Sequence, residues 1–227
     1  MLDLKTRAIV LRRVNYGEAD RIVDLITPTG RHSAIAKGSR REKSKMAGGI
    51  ELFSLSDVVI RRKKEDGLGI LSSVRLVEFF GQSILSDWDR LELAGEIVRE
   101  VAKRSSGVTG AETSDENAFF TITEQSLRAL SDSTHIDLIR AWFRLQLLQA
   151  AGDPINLHRD SSGDKLEQDQ NYSWDIASSA LALDGCGDIG TDQIKIMRLI
   201  MTSKLSLVDK IPDAHLIWPI IDRITSI

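Results

Sequence analysis

The first 80 residues contain five short segments rich in β-branched and other apolar residues, and this series limits the possible folds more than any other feature. Polar turns separate the segments, and none shows a helical period. The five predicted strands are Thr6–Val14, Arg21–Thr27, Arg31–Lys37, Leu52–Arg62 and Gly69–Phe79. Such a series predicts a small closed or nearly closed barrel, because closure removes the exposed sheet edges of a β domain.

The hydrophobic pattern changes after Gly81, where apolar residues begin to recur at the spacing of a helix face. Three helices are predicted at about 87–104, 115–130 and 134–151, and a fourth begins at Thr191. Residues 153–190 are rich in Gly, Ser and Asp and are expected to be irregular, with a short helix around Asp175–Leu181. Pro219 argues against a helix at the C-terminus.

These patterns predict an α+β fold with two domains. Residues 1–80 would form a five-stranded β-barrel, and residues 81–227 an all-helical domain with an irregular segment at 153–190. The OB-fold is the first candidate for the barrel. The number of strands alone does not distinguish it from an SH3-like barrel.

The charges of the chain are unevenly distributed. The formal net charge is −3, yet residues 1–80 hold 16 Lys and Arg against 10 Asp and Glu, whereas residues 81–227 hold 14 against 23. Opposed charges suggest two functional surfaces, of which the basic one is the candidate for a polyanion. Chance combined with solvation is the alternative explanation.

The segment KGSRREKSKMAGG, residues 37–49, concentrates the positive charge. Its five cations are Lys37, Arg40, Arg41, Lys43 and Lys45, and only Glu42 opposes them. A helix would spread these charges around its axis and a strand would turn half of them inward, so a flexible loop is predicted. Lys and Arg bind phosphate backbones through charge and counterion release, independently of sequence. A basic loop beside a small barrel is typical of single-strand binding.

Neighbouring residues would extend this basic surface. The additional candidates are Arg12, Arg13, Arg61, Arg62, Lys63 and Lys64. Tyr16 is the only aromatic residue of the barrel half that falls in a predicted loop, so base stacking has few candidates. We therefore expect binding through the backbone that tolerates many base sequences.

The sequence offers no catalytic or metal-binding constellation. No Gly-rich phosphate loop is present, and the four histidines (His32, His135, His158 and His215) lack ligand spacing. Cys186 is the single cysteine, which excludes an intramolecular disulfide and a cysteine cluster for zinc. We expect no enzymatic activity, no cofactor and no metal. The N-terminus has no recognisable export signal, so a cytoplasmic, nucleoid-associated protein is expected.

The ordered motifs of the chain resemble the RecO family of bacterial recombination mediators. The matching motifs are Gly17-Glu18 with Asp20-Arg21, the turn from Thr27 to Gly30, Ala36-Lys37-Gly38 with its basic continuation, Phe53-Ser54, and FRLQLLQAAGDP at 143–154. The resemblance implies an OB-fold followed by a helical domain. It also implies a non-enzymatic mediator of recombinational DNA repair, which binds and anneals single strands and helps RecA displace single-stranded-DNA-binding protein, usually with RecR. Double-stranded DNA is a second candidate ligand.

Two features of that family bear on the helical half. Many members carry a four-cysteine zinc site in the region of Asp153–Gly190, where this chain has only Cys186. The family also docks the acidic tail of single-stranded-DNA-binding protein on its helical domain, which requires a cation beside an apolar pocket. The candidate cations are Arg140, Arg144, Lys195 and Arg198.

Two rival functions stay open at this point. An OB-fold protein that binds RNA or assists translation would share the barrel and the basic loop. A hydrolytic enzyme would need a metal or nucleophile that the sequence does not display.

Overall fold

The computed structural model describes residues 2–62, 67–105, 116–133, 135–208 and 210–225. The chain divides into two compact units, one reaching Ser133 and one formed by the residues that follow. The described part of the first unit has five strands: β1 (Leu2–Tyr16), β2 (Asp20–Thr27), β3 (Gly30–Ala36), β4 (Ser54–Arg62) and β5 (Gly69–Phe79). All five predicted strands are therefore present, with β1 longer than expected at both ends.

The five strands close into a barrel in the order β1-β2-β3-β5-β4. β1 pairs with both β2 and β4, which it can do because a bulge between Val10 and Arg12 bends this long strand. β4 and β5 form an antiparallel pair. A short parallel contact between β3 and β5, with Ala34 opposite Gly69 and Ile35 opposite Ile70, completes the closure.

Alternate residues of the strands fill the barrel. The interior residues are Ala8, Val10, Val23, Leu25, Ala34, Ala36, Val58, Ile60 and Leu71, together with Ile50. Ile50 ends a short 3-10 turn, Ala47–Ile50, which contacts β4 and β5. Gly49 is required in this turn, because a Cβ atom there would lie 2.3 Å from Cγ1 of Val74.

Three helices complete the first unit: α1 (Gly81–Ile84), α2 (Trp88–Arg104) and α3 (Glu116–Asp132). α2 begins at Trp88 because the side chain of Asp87 accepts a hydrogen bond from the N–H of Arg90. The hydroxyl of the preceding residue, Ser86, donates to the carbonyl of Ser83 and does not cap α2. α2 contacts β1, and α3 contacts β1, β2 and β3, so apolar outer residues such as Ile9 and Ile26 are fully buried.

Arg31 on β3 links the barrel to α2. Its guanidinium donates to the carbonyl of Ala102 at 2.8 Å and to Oδ2 of Asp24 at 3.0 Å. Ser33 donates to Oδ1 of the same carboxylate at 2.5 Å. The half-buried Arg31 therefore neutralises a buried acid and satisfies a carbonyl near the end of α2.

The described residues of the second unit form four α-helices, a 3-10 turn at Ala214–Ile217 and one hairpin. The helices and strands are α4 (Ile136–Ala150), β6 (Tyr172–Asp175), β7 (Ala180–Leu183), α5 (Thr191–Thr202), α6 (Leu205–Val208) and α7 (Trp218–Thr225). α4 is buried over a wide arc and contacts α5, α6 and α7, so it forms the centre of this unit.

Three predictions about the helical half were wrong. The expected all-helical domain contains the β6–β7 hairpin. The short helix predicted around Asp175–Leu181 is instead the end of β6, the turn and the start of β7. The carboxylate of Asp175 closes the turn by accepting from Ala177 N–H and from the hydroxyl of Ser178. α7 forms despite Pro219, because proline at the second residue of a helix replaces an N–H that has no helical partner.

Candidate nucleic-acid interface

The five cations of the basic loop lie together on the surface of the barrel. The side chains of Lys37, Arg40, Arg41, Lys43 and Lys45 are all exposed. Among the described residues, none of the five pairs with a carboxylate within 4.0 Å. Their charge is therefore available to an external anion.

The loop consists of consecutive turns held to the β1–β2 turn. The N–H of Arg40 donates to the carbonyl of Ala19 at 2.9 Å, and the Arg40 guanidinium donates to the carbonyl of Gly17 at 3.1 Å. The N–H of Gly38 donates to Oδ1 of Asp20 at 2.7 Å. Gly38 has φ of +65°, a conformation that favours glycine and redirects the chain away from β3. Sequence reasoning missed the anchoring role of Asp20.

Arg12 and Arg13 have different environments although they are adjacent. Arg12 is exposed on the outer surface of β1. Arg13 instead forms an ion pair with Glu51, which also lies 3.4 Å from the guanidinium of Arg21. Arg13 is thus committed to a cluster within the barrel unit. No local pattern signals this cluster, because its members are far apart along the chain.

The remaining barrel cations are only partly available. Arg61 forms a bidentate pair with Asp3, at 2.9 and 3.3 Å. This pairing keeps the pKa of Asp3 below its usual value. Arg62 is partly buried, and Lys63 and Lys64 lie outside the described residues.

Tyr16 was predicted to lie in a loop but is the last residue of β1, opposite Asp20. The β1–β2 connection is shorter than expected, since only residues 17–19 separate the strands. The side chain of Tyr16 is nevertheless 52% exposed. It lies beside the point where Asp20 holds the basic loop, so it can still contact a base.

The four cations proposed for partner binding in the second unit differ in their contacts. Arg140 and Arg144 stack on Trp218, with guanidinium carbons 5.3 and 5.0 Å from the ring centre, and Arg144 also pairs with Asp222 at 2.7 Å. Arg198 donates to the carbonyl of Leu157. These contacts occupy the guanidiniums within the fold.

Lys195 is more exposed than the three arginines. Its ammonium group lies 3.4 Å from Asp192, and both side chains are exposed. Leu199 follows one helical turn later and is 50% exposed. Lys195 and Leu199 are therefore neighbours on the surface of α5.

Residues 153–190, where the resemblance implies a zinc site in many members, show no arrangement of metal ligands among the described residues. Asn156 accepts from the N–H groups of His158 and Arg159, and Asp184 accepts from the N–H of Cys186, so side chains of Asn and Asp close these turns. Cys186 is exposed. Within the described residues, no three His, Cys, Asp or Glu side chains are arranged to hold a metal ion. The absence of zinc from the protein stays a prediction.

The described part of the chain also lacks any helix with the length and hydropathy needed to cross a membrane. What it does define is an α+β protein with an N-terminal barrel and a concentrated cationic loop.

Comparison with known proteins identifies the family. The family described as "Recombination protein O N terminal" matches residues 1–80. A DNA repair protein RecO from Roseiflexus sp. is 30% identical over 191 residues, which are 81% of this chain and 62% of that protein. A RecO protein from Dehalococcoides mccartyi is 30% identical over 213 residues, 89% of this chain and 80% of that protein. The chain belongs to the RecO family, which confirms the resemblance found in its motifs.

Proposed function

We propose that this protein is a non-enzymatic mediator of recombinational DNA repair. It would bind single strands on the barrel, anneal complementary strands, and assist the loading of RecA onto strands coated with single-stranded-DNA-binding protein. The RecO homologues support a role in DNA repair and recombination. The exposed loop from Lys37 to Lys45, whose cations are unpaired by described carboxylates, supports the finer assignment to a DNA backbone.

The barrel is proposed to be an OB-fold. The strand order β1-β2-β3-β5-β4, closed between β1 and β4 and with a parallel contact between β3 and β5, supports this assignment. In an OB-fold the β1–β2 and β4–β5 loops flank the face that binds oligonucleotides. The basic loop is the β3–β4 connection, but its hydrogen bonds to Gly17 and Ala19 hold it against the β1–β2 turn. The anchored loop therefore stands beside the expected path of the strand.

The loop would hold phosphates of a strand that is being paired. Its contacts are with the backbone, so they leave the base edges free for a complementary strand. Counterion release from several phosphates would supply most of the affinity and make it strongly dependent on salt. Annealing follows from screening two polyanions at one cationic surface while their bases remain accessible.

The proposed partners are RecR, the tail of single-stranded-DNA-binding protein and, indirectly, RecA. For the acidic tail, the neighbours Lys195 and Leu199 fit the requirement for a cation beside an apolar surface. Arg140, Arg144 and Arg198 are weaker candidates, because stacking on Trp218, the ion pair with Asp222 and the bond to Leu157 already engage them.

Titration of purified protein with single-stranded DNA at several salt concentrations tests the binding step. We expect affinity that falls steeply with salt and changes little with base sequence. Salt-insensitive binding, or a strong preference for one sequence, would contradict the proposal. Annealing of complementary strands coated with single-stranded-DNA-binding protein tests the mediator step, and it should be faster with the protein than without it.

Competition between single-stranded DNA and structured RNA separates the proposal from its main rival. A mediator of DNA repair should keep its DNA in the presence of equal nucleotide concentrations of structured RNA. Preferential release of the DNA would favour the RNA-binding alternative.

A further inference from the structure

A single row of aliphatic side chains crosses four strands on the outside of the barrel. Val14 lies opposite Ile22, Ile22 lies opposite Ile35, and Ile35 lies opposite Ile70. We call these four residues the aliphatic row. Because their chain neighbours Val23, Ala34, Ala36 and Leu71 fill the barrel interior, the alternation of a strand directs Ile22, Ile35 and Ile70 outward.

The aliphatic row is open to solvent rather than covered by the helices. Val14 is 42% exposed and Ile70 is 39% exposed, while Ile22 and Ile35 between them are partly exposed. The hydrogen bond from Arg31 to Ala102 places α2 near the β2–β3 turn, and Ile26, which pairs with Arg31, is fully buried there. With strands about 4.8 Å apart, the row is about 14 Å long.

Positive charge borders the aliphatic row on several sides. The next outward position on β1 toward the bulge is Arg12, which is exposed, and opposite it Asp24 is neutralised by Arg31. Lys37 follows β3 immediately, two residues after Ile35. Arg61 lies opposite Ile70 on β4. The row is thus an apolar strip bordered by the exposed cations Arg12 and Lys37 and by Arg61, which is paired with Asp3.

This combination fits single-stranded nucleic acid better than another protein surface. Four partly exposed aliphatic side chains offer far less than the roughly 800 Å² per partner that a stable protein interface buries. A single strand needs what is present here, namely cations for its phosphates and an apolar surface for the faces of its bases. Four-stranded sheets of other domains accommodate about two or three bases.

We propose that the aliphatic row is the base-contacting surface of the DNA site and that it gives the site its preference for single strands. This inference rests on the proposed function of the barrel and adds to it the source of strand selectivity. Bases of a duplex are stacked and paired, so they cannot lie on the row, whereas the loop cations can contact the phosphates of either form. The contact is apolar and makes no hydrogen bonds to base edges, so it tolerates any base.

The first experiment uses the wild-type protein and two probes of equal length. One probe is a mixed-sequence single strand, and the other is an abasic phosphodiester of the same charge. The proposal predicts tighter binding to the strand with bases, by about five- to tenfold, at the lower end for base contacts on a protein surface. Both probes should give similar salt slopes, since they offer the same phosphates.

The second experiment changes the row at its two most exposed positions, with Val14→Ser and Ile70→Ser combined. The matched control is Leu76→Ser with Val77→Ser, two aliphatic residues of β5 that are 45% and 43% exposed. They begin six residues beyond Ile70, about 20 Å along the strand. A thermal melt on each variant verifies folding before binding is measured.

We expect the row variant to lose about five- to tenfold in affinity for the single strand, with an unchanged salt slope and little change in affinity for a duplex. The control should bind like the wild type. Equal wild-type affinity for the two equal-length probes, combined with steep salt dependence, would overturn the role of the row and leave the proposed DNA binding intact. Failure of the wild type to bind either probe would overturn both. If the row variant does not fold, the abasic comparison decides alone.

Discussion

Asp20 accepts a hydrogen bond from the backbone N–H of Gly38, so the first residue of β2 is tied to the residue at which the basic loop leaves β3. One carboxylate oxygen thereby fixes the origin of a segment with five cations. The carboxylate also lies close to the loop that it holds. The hydrogen bond from Gly38 should favour DNA binding because it holds the loop in place. The negative charge of Asp20 should oppose DNA binding, and substitutions of Asp20 can separate the two effects.

The Asp20→Ala variant should bind single-stranded DNA more weakly than the Asp20→Asn variant. Asparagine keeps an oxygen for the N–H of Gly38 and removes a negative charge, whereas alanine leaves the loop without this anchor. We expect the Asp20→Asn variant to bind DNA at least as tightly as the wild type. The Asp20→Ala variant should bind about threefold or more weakly than Asp20→Asn, because it lacks one hydrogen bond. Equal affinities for the two variants would show that the anchor does not matter.

Alanine at Lys37, Arg40, Arg41, Lys43 and Lys45 together should reduce DNA binding and annealing with little loss of stability. These side chains are exposed, so each substitution should change the free energy of unfolding by at most about 0.5 kcal/mol. The salt slope should fall by roughly one unit for each phosphate that the variant no longer neutralises. DNA titration, an annealing assay and a thermal melt measure the three quantities.

The matched control for the loop is alanine at Arg99 and Lys103, two exposed cations of α2. It should bind DNA nearly as the wild type does. The five-site variant should also retain the tail peptide of single-stranded-DNA-binding protein, because that interaction is proposed for α5. Unchanged DNA affinity in the five-site variant would refute the phosphate-holding role. A large fall in its melting temperature would show that the loop is needed for folding.

Replacing Arg31 should destabilise the first unit. Arg31→Ala leaves the buried carboxylate of Asp24 without its guanidinium and the carbonyl of Ala102 without its donor. We expect a loss of about 3 kcal/mol in the free energy of unfolding. Arg31→Lys should recover only part of it, because an ammonium group cannot reproduce the planar fork that reaches both acceptors. Urea unfolding measures the stability of both variants. Wild-type stability of the Arg31→Lys variant would contradict this account.

The stability of the barrel should decrease as pH falls from about 6.5 to 4. Burial, aided by the nearby charge of Arg62, lowers the pKa of His32 to about 4. Between these pH values the unfolded state binds a proton at His32 that the folded state does not bind. The stability present above pH 6.5 is therefore lost progressively as the pH falls to about 4. Melting temperatures at several pH values should show a shallower decline for His32→Gln.

Below this range a different group of residues dominates. Arg61, Arg75 and Arg223 lower the pKa values of Asp3, Asp57 and Asp188, respectively. Stability from these pairs is present above the ordinary carboxyl pKa and is lost as pH falls through the lowered values. The wild type and the His32→Gln variant should therefore lose stability to the same extent in strong acid. Identical profiles for wild type and His32→Gln between pH 4 and 6.5 would exclude the histidine as the cause.

Purified protein should contain no stoichiometric zinc. Asn156 and Asp184 close turns of the segment with hydrogen bonds, and one exposed cysteine cannot complete a tetrahedral site. Elemental analysis should find far less than one zinc ion per chain, and a chelator should leave the melting temperature unchanged. One tightly held zinc per chain would disprove this prediction.

The sequence predicted the barrel well because its strands are long enough to display a pattern. β2, for example, was expected at Arg21–Thr27 and occupies Asp20–Thr27. The four-residue strands β6 and β7 are too short for such a pattern, and the Asp and Ser residues around them favoured a different interpretation. Local signals therefore limited what could be predicted in the second unit.

The candidate site was only partly predictable for another reason. The exposure of the loop cations follows from local composition, as does the turn at Gly38. The pairing of Arg13 with Glu51 and the stacking of Arg144 on Trp218 depend on contacts between distant residues. The aliphatic row depends on register across four strands, which a single sequence does not reveal.

The short parallel contact between β3 and β5 has a consequence for how the barrel forms and opens. Antiparallel hairpins join strands that follow each other along the chain, and these form early because little chain must be ordered. The β3–β5 contact joins Ala34 and Ile35 to Gly69 and Ile70 with only two registered pairs. We therefore expect this contact to form last and to open first. Transient separation of β3 from β5 would move Ile35 away from Ile70, and the barrel would open at this point of its circumference. A bound strand that lies across the β3–β5 contact would hold it shut, and DNA would then slow hydrogen exchange most at the amides of these two strands.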